Sequence, residues 1–201
     1  MNGVDVDEVC GRHGVLPHVV VHEAAHAVAA ARHGIRFAEV RVRPPGGWVA
    51  HSGGHRAGGV VMGADDPLAW VRADPAAAFL FVMAGSAAEF VVLGHHMPRS
   101  WLGDLTLWCR GFGVPEPDVM ADLQHLVHAL LPEPFAAAMA RTVAWVEAER
   151  AAIEAVVAGL TGTDLAGVAA GLHPGTGDGW SLTEADVLAL VERAPAAEAT
   201  A

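Results

Sequence analysis

Residues 22–26 read His22-Glu23-Ala24-Ala25-His26, and their types and spacing suit a divalent metal. On a helix, residues four apart share a face with their Cβ atoms about 6 Å apart, so both imidazoles reach one ion. The carboxylate of Glu23, directly after the first histidine, lies close enough to handle a water on that ion. Neutral imidazole ligands beside a carboxylate acting as general base form the working arrangement of zinc hydrolases. The competing reading is a buried helix whose histidines hydrogen-bond to neighbours, which is open to a chain with 12 His. The setting favours the metal. Pro17 can start a helix, Val19-Val20-Val21 and Ala27-Val28-Ala29-Ala30-Ala31 continue it, and Gly34 can end it.

A hydrolytic zinc site keeps three protein ligands and one open position. His33 follows His26 by seven residues, without the glycine turn that long zinc motifs place before a third histidine. The third ligand is then sought among Glu89, on a second helix, and Asp104, Asp118 and Asp122, further along the chain.

The elements that must position these groups are mostly helices. The first spans about Pro17 to Arg32. Ile35 to Arg43 alternates apolar and polar residues as a strand with one buried face, and Arg56 to Met62 reads as a second, antiparallel strand. A long Pro/Gly loop separates the two. Asp74-Pro75 caps a second long helix to Leu93, closed by Gly94. The segment from His95 to Pro115 carries glycines and reads as a loop with a helical turn around Trp101 to Cys109. Helices follow at about Pro117 to Leu131 and Pro134 to Leu160, and Ser181-Leu182-Thr183-Glu184 reads as a capping box opening a last helix to Glu192. The reading is a single domain over residues 1–201, with a core at about 17–160, a C-terminal helical appendage at about 161–193 and a loose tail.

With 53% apolar residues, 17% charged residues and a net charge of -11, the chain can bury a substantial core. It has no general attraction for nucleic acid or anionic membrane, and neither is expected as a partner. Met1-Asn2-Gly3-Val4-Asp5-Val6-Asp7-Glu8 is acidic and lacks the pattern of a signal peptide. Ala76 to Leu93 approaches the length of a membrane span, but Gly85, Ser86 and Glu89 within it favour a buried core helix. A cytoplasmic location is the expectation. All 12 basic residues are Arg, Tyr is absent, and Cys10 and Cys109 have no metal-type spacing.

Several segments, in order, resemble the peptidase domain of FtsH-type ATP-dependent zinc metalloproteases and the small stand-alone peptidases related to it. His22-Glu23-Ala24-Ala25-His26-Ala27-Val28 resembles that family's zinc helix. Ala38 to Arg43, followed by Ala57-Gly58-Gly59-Val60-Val61-Met62, resembles its hairpin-like region. Ala84-Gly85-Ser86-Ala87-Ala88-Glu89 with Gly94 resembles its second helix, and Ala121-Asp122-Leu123-Gln124-His125-Leu126 resembles the segment that supplies an aspartate ligand. The likeness covers roughly residues 17–160. The departures are Ala25 where the family usually has Gly, Ser86 where it has Arg, and Phe90 where it has a second Glu, and no ATPase module is expected within these 201 residues.

The resemblance implies a zincin-like, mainly α (α+β) metallopeptidase domain with a small two-stranded β element. It implies Zn2+ on His22, His26 and Asp122, with Glu23 as the catalytic base and a peptide or protein as substrate. The family's spacing after Gly94 also fits Asp104. Asp122 is preferred because Leu123, Leu126, Val127, Leu130 and Leu131 form an amphipathic stripe along its helix, and Asp118 reads as a first-turn acidic residue. Glu89 is a possible partner for a ligand histidine's second ring nitrogen, and an extended peptide could pair along the edge of the second strand. His51, His55, His95 and His96 fall in loops able to border the site, where one could stabilise an oxyanion in place of a Tyr, but surface or supporting positions are the favoured reading for each. A zinc amidohydrolase acting on a small molecule and a non-catalytic metal-binding interaction module stand as alternatives.

Overall fold

Twelve consecutive residues, Ala78 to Glu89, are buried, so the helix that carries them must be covered on every side. A computed structural model describes residues 15–42, 58–62, 69–95, 100–113, 120–131, 133–172 and 179–194. In chain order its elements are α1 (Val15–Arg32), β1 (Phe37–Val42), β2 (Gly58–Met62), α2 (Ala69–Ala73), α3 (Pro75–Leu93), α4 (Ser100–Phe112), α5 (Met120–Leu130), α6 (Phe135–Ala148), α7 (Arg150–Thr161), α8 (Leu165–Ala169), β3 (Trp180–Thr183) and α9 (Glu184–Arg193). The fold is mainly α with a small antiparallel sheet, as the sequence led one to expect. The positions singled out at His51, His55, His96, Asp118 and Cys10 lie outside the described residues.

Two helices make the centre. The helix α3 is wrapped by α1, α4 and α6, and α1 lies between α3 on one side and α7, α9 and the sheet on the other. Val20, Val21, Ala24, Ala25, Val28 and Ala29 are all fully buried, and the small side chains among them let α1 approach its neighbours closely. The start of α3 is set by Asp74, whose carboxylate accepts a hydrogen bond from the Ala77 N–H, with Pro75 in the first turn where no donor is needed. Its end is set by Gly94 in a left-handed conformation, φ 82°. By length and composition α3 is apolar enough to cross a membrane, yet most of it is covered by the chain's own helices.

The expected strand pair forms, and a third strand joins it, giving the order β2-β1-β3. Val40 faces Val60 on one side and Leu182 on the other. The register shifts between Phe37 and Glu39, which lets Phe37 and Val40, three apart, both point into the core. Residues 180–183 were expected to begin a helix at Ser181. Instead Ser181 and Leu182 pair with β1, and the cap is Thr183, whose hydroxyl accepts from the Asp186 N–H while Asp186 accepts from the Thr183 N–H. In the C-terminal segment, β3 pairs with β1 and α9 packs on α1 and β1.

Two further boundaries differ from expectation. The helix expected over 134–160 bends at Glu149 into α6 and α7, although the sequence there has neither Gly nor Pro. Arg32 at the end of α1 pairs with Glu149 at 2.9 Å, tying that bend to the central helix. The loop expected after His95 is largely the thirteen-residue helix α4. Leu105, Trp108 and Cys109 are buried along it, and Trp108 stacks edge-on against Phe79 of α3 at 5.6 Å. Gly111, which reads as a loop residue, instead permits close packing: a Cβ there would lie 2.4 Å from Val71 of α2.

The Asp74 cap should carry measurable stability for the central helix. Replacing Asp74 by Ala is expected to lower unfolding free energy by about 1 kcal/mol, read from the midpoint of a urea titration with unchanged slope. An unchanged midpoint would show that Pro75 and the surrounding packing fix the helix start unaided.

Candidate metal centre

His18, His22 and His26 recur every four residues along α1 and form one stripe, all three buried. A buried imidazole must give each nitrogen a partner, and those partners come from α3 and α4. His26 Nδ1 lies 2.7 Å from the Phe81 carbonyl oxygen. That oxygen only accepts, so Nδ1 donates and, in the neutral ring, Nε2 presents its lone pair. His22 Nδ1 donates to Glu89 Oε1 at 2.6 Å, which turns its Nε2 the same way. Both Nε2 atoms then face Asp104 of α4. His22 Nε2 is 3.0 Å from His26 Nε2 and 3.0 Å from Asp104 Oδ2, and His26 Nε2 is 3.3 Å from the same oxygen.

Three electron-rich atoms at these separations repel one another unless a positive charge lies among them. A tetrahedral ion with bonds of about 2.0–2.1 Å has ligand atoms about 3.3 Å apart, close to the spacing found. The donor set of two imidazole nitrogens and one carboxylate oxygen suits zinc. Among the described residues, His22, His26 and Asp104 are the one group of three such side chains whose ligand atoms converge in this way.

The electrostatics show the same pull for positive charge. Burial works against a proton on His22, but hydrogen bonds to Asp104 and Glu89 and the charge of Asp104 overcome it and hold the imidazole well above the ordinary histidine range. Burial likewise opposes ionisation of Asp104, yet the facing His26 and His22 hold its carboxyl far below the usual range. Glu23, half-buried on the turn beside His22, is moved the other way. Desolvation raises its carboxyl, and the two histidines offset that only in part. A carboxylate with a raised proton affinity next to a cation site is suited to accepting a proton from water.

Room for the His22 ring comes from α3. A Cβ on Gly85 would lie 2.6 Å from the Cδ2, Cε1 and Nε2 atoms of that ring. The ring has little freedom to retreat, since it is held by Glu89 on one edge and Asp104 on the other. Ser86 and Ser100 share a hydrogen bond at 2.9 Å, which fixes the start of α4 against α3 and so the reach of Asp104.

Of the residues singled out from sequence, His22, Glu23, His26 and Glu89 gather here as expected. Among the described side chains, the aspartate that joins them is Asp104, the alternative to the preferred Asp122. Asp122 falls in the first turn of α5, and its side chain lies outside the described residues. The preference for Asp122 rests on the amphipathic stripe of its helix, yet Trp101, Leu105, Trp108 and Phe112 mark a similar helical stripe around Asp104. His18 was not singled out at all. The signal for it was the repeat of His at 18, 22 and 26.

The lack of space at Gly85 predicts that Gly85→Ala destabilises the metal-free protein by about 1–3 kcal/mol, as overpacking does. Equilibrium denaturation checks this, and a variant as stable as the parent would mean that the His22 ring can move aside. No protein-family model matches the sequence, and no curated protein matches it either.

Proposed function

We propose that this chain is a zinc-dependent metallopeptidase whose metal is held by His22, His26 and Asp104 and whose general base is Glu23. The observation that carries the reading is the convergence of two Nε2 lone pairs and one carboxylate oxygen within 3.3 Å, with a half-buried glutamate one residue from the first ligand. A zinc ion there supplies a Lewis acid that makes an attacking water acidic and polarises a carbonyl. Glu23 accepts the proton released by that water and returns it to the departing amine. Glu89 and the Phe81 carbonyl hold the two rings with their Nδ1 protons fixed, so that neither ring has to rotate during the reaction.

A peptide is favoured as substrate by the sheet. Among the described residues β2 pairs only with β1, and it also packs against α1, so an extended chain can add to its outer edge near the histidine helix. The ordered likeness to FtsH-type peptidase segments supports the same class. The third ligand differs from the one that likeness favoured, because Asp104 supplies the converging oxygen.

Elemental analysis after zinc reloading is expected to find about one zinc per chain. Asp104→Ala should strip the metal, and Asp122→Ala should leave its affinity within a few-fold. The opposite pattern would return the ligand role to Asp122, and less than a tenth of an equivalent in the parent protein would sink the metal reading.

Glu23→Gln keeps the size of the side chain and removes the base. Zinc content should stay at the parent level while cleavage of a denatured protein or peptide library falls by about a hundredfold or more. Full activity in this variant would remove Glu23 from the mechanism. Cleavage of small amides but of no peptide by the parent, with a chelator control, would favour the amidohydrolase alternative. Zinc binding without any cleavage would favour a metal-binding module.

A further inference from the structure

One buried carboxylate serves two histidines of the same helix. Glu89, 1% exposed, accepts a hydrogen bond from the His22 Nδ1–H on Oε1 at 2.6 Å and from the His18 Nδ1–H on Oε2 at 3.0 Å. His18 itself is fully buried, one helical turn before His22, and its ring rests against His95 at 4.8 Å, tilted by 56°. A carboxylate held at a single oxygen can swing about its terminal torsion, which is broad. Held at both oxygens, it cannot turn without breaking a buried hydrogen bond. The histidine on the far oxygen therefore sets the direction in which the near oxygen points.

We propose that His18 is a positioning residue of the metal centre, acting through Glu89 to hold the His22 ring with Nε2 toward Asp104. It touches neither the ion nor a reacting atom. The proposal rests on the metal reading above and adds to it a residue one turn outside the His22–His26 motif. Burial is what gives His18 this leverage. In a site open to water, a solvent molecule would readily replace the His18 N–H on Oε2, whereas here both His18 and Glu89 are closed off from solvent.

The test measures zinc dissociation constants by competition with a chromogenic chelator, using the full chain. His18→Leu removes the donor and should weaken zinc binding by about 10- to 100-fold, the range seen when a partner of a ligand histidine is lost. His18→Asn carries an amide N–H close to the Nδ1 position and should bind within about threefold of the parent, by the same comparison. In a Glu89→Gln background the His18→Leu change should add less than about threefold, because its route to the metal has already been altered.

Thermal unfolding followed by circular dichroism verifies that each variant is folded. Should His18→Leu fail to fold, His18→Gln, whose amide reaches past the Nδ1 position, replaces it in the same cycle. Parent-like zinc affinity in His18→Leu, or losses that multiply fully in the double variant, would overturn the role of His18 while leaving the metal centre standing. A parent protein that takes up no zinc would overturn the metal centre itself, so the two failures are distinct.

Discussion

The structure depends on how α1 buries a polar stripe. Three imidazoles on one helix face are pressed against α3, a helix that is apolar almost throughout. Burying a polar group without a partner costs several kcal/mol in an apolar surrounding, on the order of 2–7. The contact is possible because α3 supplies the few polar groups the stripe needs, the Phe81 carbonyl and the Glu89 carboxylate, and leaves a gap at Gly85 where a ring must fit. Everything else in the site follows from that contact. With both Nδ1 atoms engaged on α3, both Nε2 atoms are directed outward to α4, where Asp104 stands.

Charge balance explains why the arrangement holds together in a largely dry space. Glu89 and Asp104 bracket the histidines from opposite edges. Two carboxylates flank the histidine pair in this pocket, in a chain whose net charge is already -11. Such a pocket attracts a cation from solution and disfavours an anionic group near the same point.

Much of this was legible in the sequence, and the gaps have physical causes. The His22–His26 pair, its helix and the Glu23 position follow from the four-residue spacing within an apolar run. The whole of α3 is marked by its Asp-Pro start and Gly94 end, and the buried face of β1 follows from Phe37, Val40 and Val42. The helix that carries Asp104 was read largely as loop because glycine was taken as punctuation, whereas Gly111 serves close packing against Val71. The strand 180–183 was hidden because Ser181-Leu182-Thr183-Glu184 satisfies the local pattern of a cap. Its pairing with β1, some 140 residues away in sequence, is a tertiary fact that no local window contains. His18 escaped notice because its importance depends on a carboxylate more than seventy residues away.

The site's parts come from α1, α3 and α4, so none of its polar contacts is local apart from the pairing of His22 with His26. Contacts of long sequence separation form late in folding, after the loops between them have closed. An unfolded or half-assembled chain therefore offers an ion little more than two histidines on a nascent helix. The converging set of His22, His26 and Asp104 exists only once α4 has docked onto the α1–α3 pair. The cluster is thus a property of the finished fold, assembled from three helices that lie far apart along the chain.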